Sequence, residues 1–211
     1  YTWPKNLFVI GTVNIDETTY MFSPKVLDRS NVIEFRVNNE EIKDFLAAAG
    51  KEIIPITKKG AAMGNSFVSL AKMNQNNSDF SKLNPEMLKF FKELQVLGAE
   101  FGYRTAAEIQ TLFSKIDLVN PKYSSLVNDK IDIAIMQKLL PKLHGSRRKL
   151  LDTLKLLAQK CLEENQDVIF NDRGIYNIEK LNSIKYNLSF KKIARMYKNA
   201  IENGFASYAE A

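Results

Sequence analysis

The stretch from Asn6 to Arg36, NLFVIGTVNIDETTYMFSPKVLDRSNVIEFR, decides the fold that we expect for this chain. Its first part is an apolar run over residues 7–13 that ends at the polar residue Asn14. Runs of this kind are typical of strands that are covered on both faces, as in parallel sheets. The run therefore predicts a buried strand with a polar tip.

A short helix and a second strand are predicted directly behind it. Ser23 precedes Pro24, which is typical of an N-cap followed by the first helical residue, because proline lacks only a donor that would be unpaired there. This helix is expected to end at Arg29, and residues 32–35 predict a second short, buried strand. Two strands are too few for an independent sheet, so we expect their partners in sequence outside this chain.

The composition is that of a globular protein, with 45% hydrophobic and 26% charged residues among 211. No apolar run reaches the roughly 20 residues needed to span a bilayer, and no secretory signal opens the chain, so no membrane partner is expected. The single cysteine, Cys161, forms no intrachain disulfide, which favours a cytoplasmic setting. The net charge of +6 permits contact with nucleic acid or phosphate.

After residue 37 the apolar residues recur at helical spacing. We therefore predict a mainly α fold, in which residues 1–37 end an α/β core and residues 38–211 form a helical domain. An irregular linker is expected over residues 51–82, with one short element near residues 67–70. Further along, Thr105 and Glu108 match a capping box, and Pro141 is expected to distort a helix end.

The predicted helices continue to the end of the chain. Ser146 is expected to start a helix that runs through residue 164, with its apolar face turned inward. A small hairpin is expected within residues 166–186. Ser189 is expected to cap a final amphipathic helix that stops at residues 203–204.

Nucleotide hydrolysis needs a phosphate cradle, and the P-loop pattern G-x-x-x-x-G-K-[ST] is not found here. The one Gly-Lys pair, Gly50–Lys51, has Phe45 in place of the first glycine and Glu52 in place of Ser or Thr. Asp16–Glu17 resembles a magnesium-binding acidic pair, but a loop or helix-start role is the better interpretation. We assign no metal ligand in this chain.

Three side chains remain as candidates for nucleotide chemistry. Asn14, at a strand end, has the amide needed to orient an attacking water, although an ordinary turn residue explains it too. Arg29 is either an arginine finger or a surface ion-pair partner of Asp28 or Glu34. Arg104 precedes the Thr105 cap, where the helix N-terminus favours an anion, so it contacts either a phosphate or a structural carboxylate.

A fourth candidate is basic and unrelated to hydrolysis. Arg147, Arg148 and Lys149 begin a helix, and the segment from Lys138 to Lys160 holds seven basic residues against one acidic residue, Asp152. A solvated charged face is the default interpretation, and a contact with DNA phosphates or an acidic partner is the alternative.

Several of these segments resemble one family. Residues 11–14, GTVN, look like the G-T-x-N of the AAA+ NTPase subunit of 5-methylcytosine-specific restriction systems (McrB type), and residues 101–104, FGYR, look like the F-G-Y-R that opens its helical lid. Residues 27–29 partly resemble its L-R-R-R-F segment, with Asp28 and Ser30 replacing the flanking arginines. Residues 140–146, LPKLHGS, resemble a recurrent lid segment.

The resemblance implies the C-terminal part of an AAA+ core followed by an all-α lid. It further implies a ring of copies that hydrolyses GTP or ATP with Mg²⁺ in the full-length protein and drives a nuclease subunit on DNA. Asn14 would position water, Arg29 would act in a neighbouring subunit's site, and Arg104 would contact the bound nucleotide. The alternative is a helical DNA- or protein-binding module without NTPase activity.

Overall fold

The structure, a computed structural model, describes residues 2, 4, 6–13, 22–48, 63–73, 78–164, 166–171, 173–175 and 184–211. The chain divides into two compact units, one of residues 1–8 and 33–73, the other of residues 9–32 and 74–211. The division at residue 37 that the sequence suggests remains a prediction.

The described residues are mainly helical, which confirms the predicted class. The helices are α1 (Pro24–Leu27), α2 (Asn39–Ala47), α3 (Gly64–Lys72), α4 (Leu83–Val96), α5 (Tyr103–Val119), α6 (Val127–Ala134), α7 (Arg147–Lys160) and α8 (Asn187–Asn203). The strands are β1 (His144–Ser146), β2 (Phe170–Asn171), β3 (Gly174–Ile175) and β4 (Phe205–Ser207).

Neither of the two predicted buried strands forms. Residues 6–13 and 30–38 contain no strand, and Ile10 and Phe35 are 87% and 91% exposed. An apolar run becomes a strand only where another strand pairs with its backbone, and none does so within the described ranges. The prediction of two buried strands is therefore wrong for this chain.

The first unit contains α2 and α3. Asn38 caps α2, because its side chain accepts from the Glu41 amide while Glu41 accepts from the Asn38 amide. This capping box satisfies two amides that the start of the helix would otherwise leave unpaired. α2 and α3 bury no residue, and Phe45 and Leu46 are exposed.

Helices α4 to α8 surround the core of the second unit. The spacing predicts this core well on α7, where Leu150, Leu154, Leu157 and Cys161 are all buried. On α4, where Leu88, Phe91 and Leu94 are expected to face inward, Leu94 is buried and Phe91 packs against the core, but Leu88 is exposed.

The chain between α6 and α7 follows the distortion that Pro141 predicts. A π-helical turn (Ile135–Leu139) and a 3-10 turn (Leu140–Lys142) replace the regular helix. Proline has no amide to donate and its ring clashes with the preceding turn, so a regular α-helix ends before it. These irregular turns carry Lys138 and Lys142, two basic residues of the candidate site below.

An antiparallel ribbon holds α7 and α8 together. Residues 144, 145 and 146 of β1 pair with residues 207, 206 and 205 of β4, and Gly204 ends α8 with φ +74°. Positive φ is a region that glycine enters without strain, so Gly204 fits this helix end. β2 and β3 form the small hairpin that the sequence predicts.

The first turn of α8 is capped by another helix and not by Ser189. Asp132 of α6 accepts from the Leu188 amide at 2.7 Å and from the Ser189 amide at 2.8 Å. Ser189 lies inside the helix, and its hydroxyl donates to the Asp132 main-chain carbonyl at 3.2 Å. The cap predicted at Ser189 is therefore wrong, because the free amides are satisfied by a carboxylate that lies far away in sequence.

Candidate functional site

A buried lysine lies at the centre of the candidate site. The side chain of Lys138 is 1% exposed, and its Nζ lies 2.6 Å from Glu108 Oε2 and 2.9 Å from the Ser30 carbonyl oxygen. The Asp28 carbonyl oxygen is a third, longer contact at 3.5 Å. An ammonium has three protons to donate, so these contacts satisfy a charge that would otherwise be costly to bury.

The same region holds the turn of residues 28–30, which we call the Arg29 turn. The Asp28 carboxylate forms an ion pair with Lys142, and its Oδ1 lies 3.5 Å from Thr105 Oγ1. Just beyond the turn, the Val32 amide donates to the Gln137 carbonyl at 3.2 Å. The Arg29 turn is thus attached to the helical unit on both sides of Arg29.

Glu108 connects the buried lysine to Arg104. Its Oε1 accepts from Arg104 Nε at 3.1 Å while its Oε2 accepts from Lys138. Burial raises the pKa of Glu108, but the hydrogen bonds from Lys138 and Arg104 outweigh it and hold the pKa below its usual value. We call Asp28, Arg104, Glu108, Lys138 and Lys142 the Lys138 cluster.

Arg104 lies in the first turn of α5, which begins at Tyr103 and has Gly102 as its N-cap. Thr105 makes no capping bond, so the predicted capping box of Thr105 and Glu108 is wrong: Glu108 binds two cations and not the helix start. The Arg104 side chain is 62% exposed, and Glu108 is its ion-pair partner. Glu108 is therefore the carboxylate of the structural ion pair that the sequence offers as one alternative for Arg104. An exposed pair of this kind contributes under about 1 kcal/mol to the free energy of unfolding.

Arg29, unlike Arg104, has no side-chain partner among the described residues. Its side chain is exposed, and it makes no ion pair or hydrogen bond with any residue in the described ranges. Asp28, which the sequence offers as its partner, pairs with Lys142 instead. The backbone around Arg29 is anchored while its guanidinium points to solvent unpaired.

Asn14, the third predicted site residue, lies outside the described residues, as do Asp16 and Glu17. Nothing in the geometry bears on its role. The structure thus brings Arg104 and the Arg29 turn to one cluster and leaves Asn14 as a prediction.

The basic residues at the start of α7 are a separate surface. Arg147, Arg148 and Lys149 are exposed, the first turn of α7 has no acidic residue, and none of the three forms an ion pair with a described residue. Two of the seven basic residues counted in the sequence, Lys138 and Lys142, belong instead to the Lys138 cluster. His144 is exposed, and its Nδ1 lies 3.1 Å from the Lys142 carbonyl oxygen.

Sequence reasoning missed Lys138 and gave Glu108 the wrong role. A signal for Lys138 was present, since Ile131, Ala134 and Ile135 define an apolar stripe whose next position is 138. A lysine on a buried stripe requires a partner, although the sequence does not say which one.

Another cleft among the described residues has no excess of positive charge that would favour a nucleotide. A cleft of about 420 Å³ at the start of α6 is lined by both lysines and carboxylates, among them Lys82, Lys185, Asp129 and Glu163. In the described part of the chain, no group of three or more His, Cys, Asp or Glu residues is arranged to hold a metal ion.

The comparisons with known proteins return one family. No curated protein and no solved structure matches the chain. A family model described as "Domain of unknown function (DUF8727)" matches residues 55–205, which include Arg104, Glu108 and Lys138 but not Arg29. Because the match spans more than half of the chain, the chain belongs to the DUF8727 family.

Proposed function

We propose that this chain is the C-terminal part of a restriction-type AAA+ NTPase that hydrolyses GTP or ATP. In this proposal Arg29 acts as an arginine finger in a neighbouring subunit's site, Arg104 contacts the phosphates of the bound nucleotide, and Asn14 orients the attacking water. The observation that carries the proposal is the unpaired, exposed Arg29 on an anchored turn.

An arginine finger needs a charge that is available and a backbone that is fixed. Lys142 engages Asp28, so the neighbouring carboxylate does not neutralise Arg29. Lys138 binds the carbonyl of Ser30, on the other side of Arg29. A guanidinium held in this way supplies positive charge to a transition state with little reorganisation, an effect worth roughly 10³–10⁵ in rate.

Arg104 supports the proposal through its weak attachment. Its ion pair with Glu108 is exposed and therefore worth under about 1 kcal/mol, so a phosphate can displace it at small cost. Glu108 then keeps Lys138 as its partner and is not left as an uncompensated carboxylate. The first turn of α5 has no acidic residue of its own, and the nearby Asp28 carboxylate is paired with Lys142.

The remaining parts of the proposal come from the resemblance. We propose a ring of copies of this chain, a nuclease subunit and DNA as partners, Mg²⁺ with the nucleotide, and a cytoplasmic location. Among the described residues, no helix is both long enough and apolar enough to cross a membrane. With the P-loop pattern missing from the sequence, the phosphate cradle and the Mg²⁺ ligands have to come from elsewhere in the complete gene product.

The complete gene product tests the proposal. Its sequence should contain a P-loop about a hundred or more residues upstream of Tyr1, and the purified protein should hydrolyse GTP or ATP. Arg29→Ala should lower kcat by roughly 10³–10⁵-fold, to a residual rate that single-turnover experiments can measure, and leave nucleotide binding, measured by calorimetry, largely intact. The 211-residue chain alone should hydrolyse neither nucleotide and bind both weakly. Full activity of Arg29→Ala, or turnover by the isolated chain, would show that the proposal is wrong.

A second candidate function rests on the α7 surface. Three consecutive exposed cations at a helix start, without an acidic neighbour in that turn, oppose the helix dipole and favour an anionic partner. The partner that we propose under this alternative is the phosphate backbone of DNA, in a helical module without NTPase activity.

Salt dependence distinguishes the alternative. If the surface binds DNA, Arg147→Ala/Arg148→Ala should weaken binding and reduce the slope of log affinity against log salt by about 2, roughly one unit per lost phosphate contact. The matched control is Lys155→Ala/Lys160→Ala on the same helix, whose ammonium groups already pair with Asp152 and Glu93. Equal effects of the two double variants would contradict a specific interface.

A further inference from the structure

We infer that Lys138 is a positioning residue for Arg29, an inference that rests on the function proposed above. Lys138 lies 108 residues from Ser30 in sequence, yet its Nζ donates to the Ser30 carbonyl at 2.9 Å. The Asp28 carbonyl, on the other side of Arg29, lies 3.5 Å away. One buried ammonium therefore faces the carbonyl oxygens of both residues that flank the proposed finger in sequence.

The position of Lys138 in the helical unit makes it suitable for this role. It lies on the π-helical turn, buried between Ile135 and Leu139, so the packing of the core fixes the course of its side chain. Its only carboxylate partner in the described ranges, Glu108, also binds Arg104. Lys138 thus connects the helix that carries Arg104 to the turn that carries Arg29.

A purely structural role is the competing explanation, and the chain contains a suitable comparison. Lys130 is a second buried lysine, 2.8 Å from Asp117 Oδ1 and 3.9 Å from the centre of the Phe113 ring. Both of these partners lie on α5 and not on the Arg29 turn. Lys130→Met should therefore lower stability without displacing Arg29, whereas Lys138→Met should do both.

The test is a double-mutant cycle on hydrolysis by the complete gene product. Since a misplacement of about 1 Å at a catalytic group costs up to about a hundredfold, Lys138→Met should lower kcat roughly tenfold to a hundredfold. If Lys138 acts through Arg29, the double variant Lys138→Met/Arg29→Ala should be no slower than Arg29→Ala alone. Lys130→Met should keep the wild-type kcat at temperatures below its Tm.

The outcomes separate the inference from the function on which it rests. Unchanged hydrolysis by Arg29→Ala would overturn both. Two results would overturn the inference alone, provided that Arg29→Ala loses hydrolysis. The first is a wild-type kcat in folded Lys138→Met. The second is a double variant whose loss of kcat equals the product of the losses in the two single variants. If Lys138→Met does not fold, Glu108→Gln replaces it. The inference then requires that Glu108→Gln lowers kcat in the wild-type background but lowers it no further in the Arg29→Ala background. A wild-type kcat in Glu108→Gln overturns the inference.

Discussion

Single residues in this protein differ in how far their charges are already engaged. Lys138 uses its charge entirely within the fold, Arg104 shares the half-buried Glu108 carboxylate with Lys138, and Arg29 has no side-chain partner among the described residues. A transition state can use a charge only to the extent that the ground state leaves it available. Arg29 and Arg104 are therefore expected to affect different kinetic constants.

Arg104→Ala in the complete gene product should raise KM for the nucleotide more than it lowers kcat. Arg104 would contact phosphates that are present in both the ground state and the transition state, so its loss removes uniform binding. Steady-state kinetics with GTP and ATP measure both constants. Lys92→Ala, which removes an exposed cation on α4, is the matched control and should change neither. A loss confined to kcat would contradict the role given to Arg104.

Glu108 makes a prediction about acid stability. In the folded state burial raises its pKa, but the hydrogen bonds from Lys138 and Arg104 outweigh burial and hold the pKa below the usual value for a glutamate. A carboxylate with a depressed folded pKa stabilises the fold above its unfolded pKa, and this contribution is lost as the pH falls through the folded pKa. The free energy of unfolding should therefore decrease as the pH is lowered below about 4.5. Glu108→Gln should make this decrease less steep.

Urea unfolding of the 211-residue chain between pH 3 and 7 measures this slope. Glu100→Gln is the control, since Glu100 is exposed and forms no ion pair with a described residue. An acid slope that is the same in Glu108→Gln as in the wild type would show that Glu108 does not carry the effect.

At the scale of elements, α6 has a role beyond packing, because Asp132 caps α8 across 56 residues of sequence. Burial raises the pKa of Asp132, although hydrogen bonds from Ser189 and Leu188 oppose this effect, so the carboxylate is kept for its contacts at some electrostatic cost. Asp132→Ala should lower the free energy of unfolding by about 2 kcal/mol, the upper range for loss of a cap.

Chemical denaturation of the two variants Asp132→Ala and Asp129→Ala tests this prediction. Asp129 lies in the first turn of the same helix but is exposed, so its loss removes only a dipole interaction of about 0.3–1 kcal/mol. Asp132→Asn, which keeps an acceptor oxygen, should fall between the wild type and Asp132→Ala. A cost for Asp132→Ala no greater than that for Asp129→Ala would contradict the capping role.

The elements also show which features the sequence can and cannot predict. Helical spacing locates the buried face of α7, and Pro141 locates the end of the α6 region, because both signals are local. The Asp132 cap and the Lys138 contacts join residues far apart in sequence, so no local pattern contains them. The apolar runs at 7–13 and 32–35 predict strands wrongly, since a strand depends on a partner that the run itself does not specify.

At the scale of the whole molecule, the Lys138 cluster links Arg104 to Arg29. In the proposed function these two arginines act on nucleotides bound in two different subunits. Arg104 would contact the nucleotide of its own subunit and Arg29 that of the next subunit in the ring. Such head-to-tail contacts are heterologous, so each complete site combines one arginine from each of two neighbouring copies. This arrangement permits a test in which two variants, each impaired at low nucleotide concentration, are mixed.

Equal amounts of Arg29→Ala and Arg104→Ala, in the complete gene product, should hydrolyse nucleotide when they are allowed to form mixed rings. The nucleotide concentration is kept far below the KM of Arg104→Ala, where neither variant alone turns over at an appreciable rate. A site is complete where an Arg29→Ala subunit, which keeps Arg104, lies before an Arg104→Ala subunit, which supplies Arg29. Random mixing makes about one quarter of the sites complete, so activity should rise well above that of either variant alone. Mixing each variant with itself is the control. If both arginines served the same subunit's nucleotide, no mixed ring would contain a complete site, and activity at the level of the separate variants would show that Arg29 does not act across the interface.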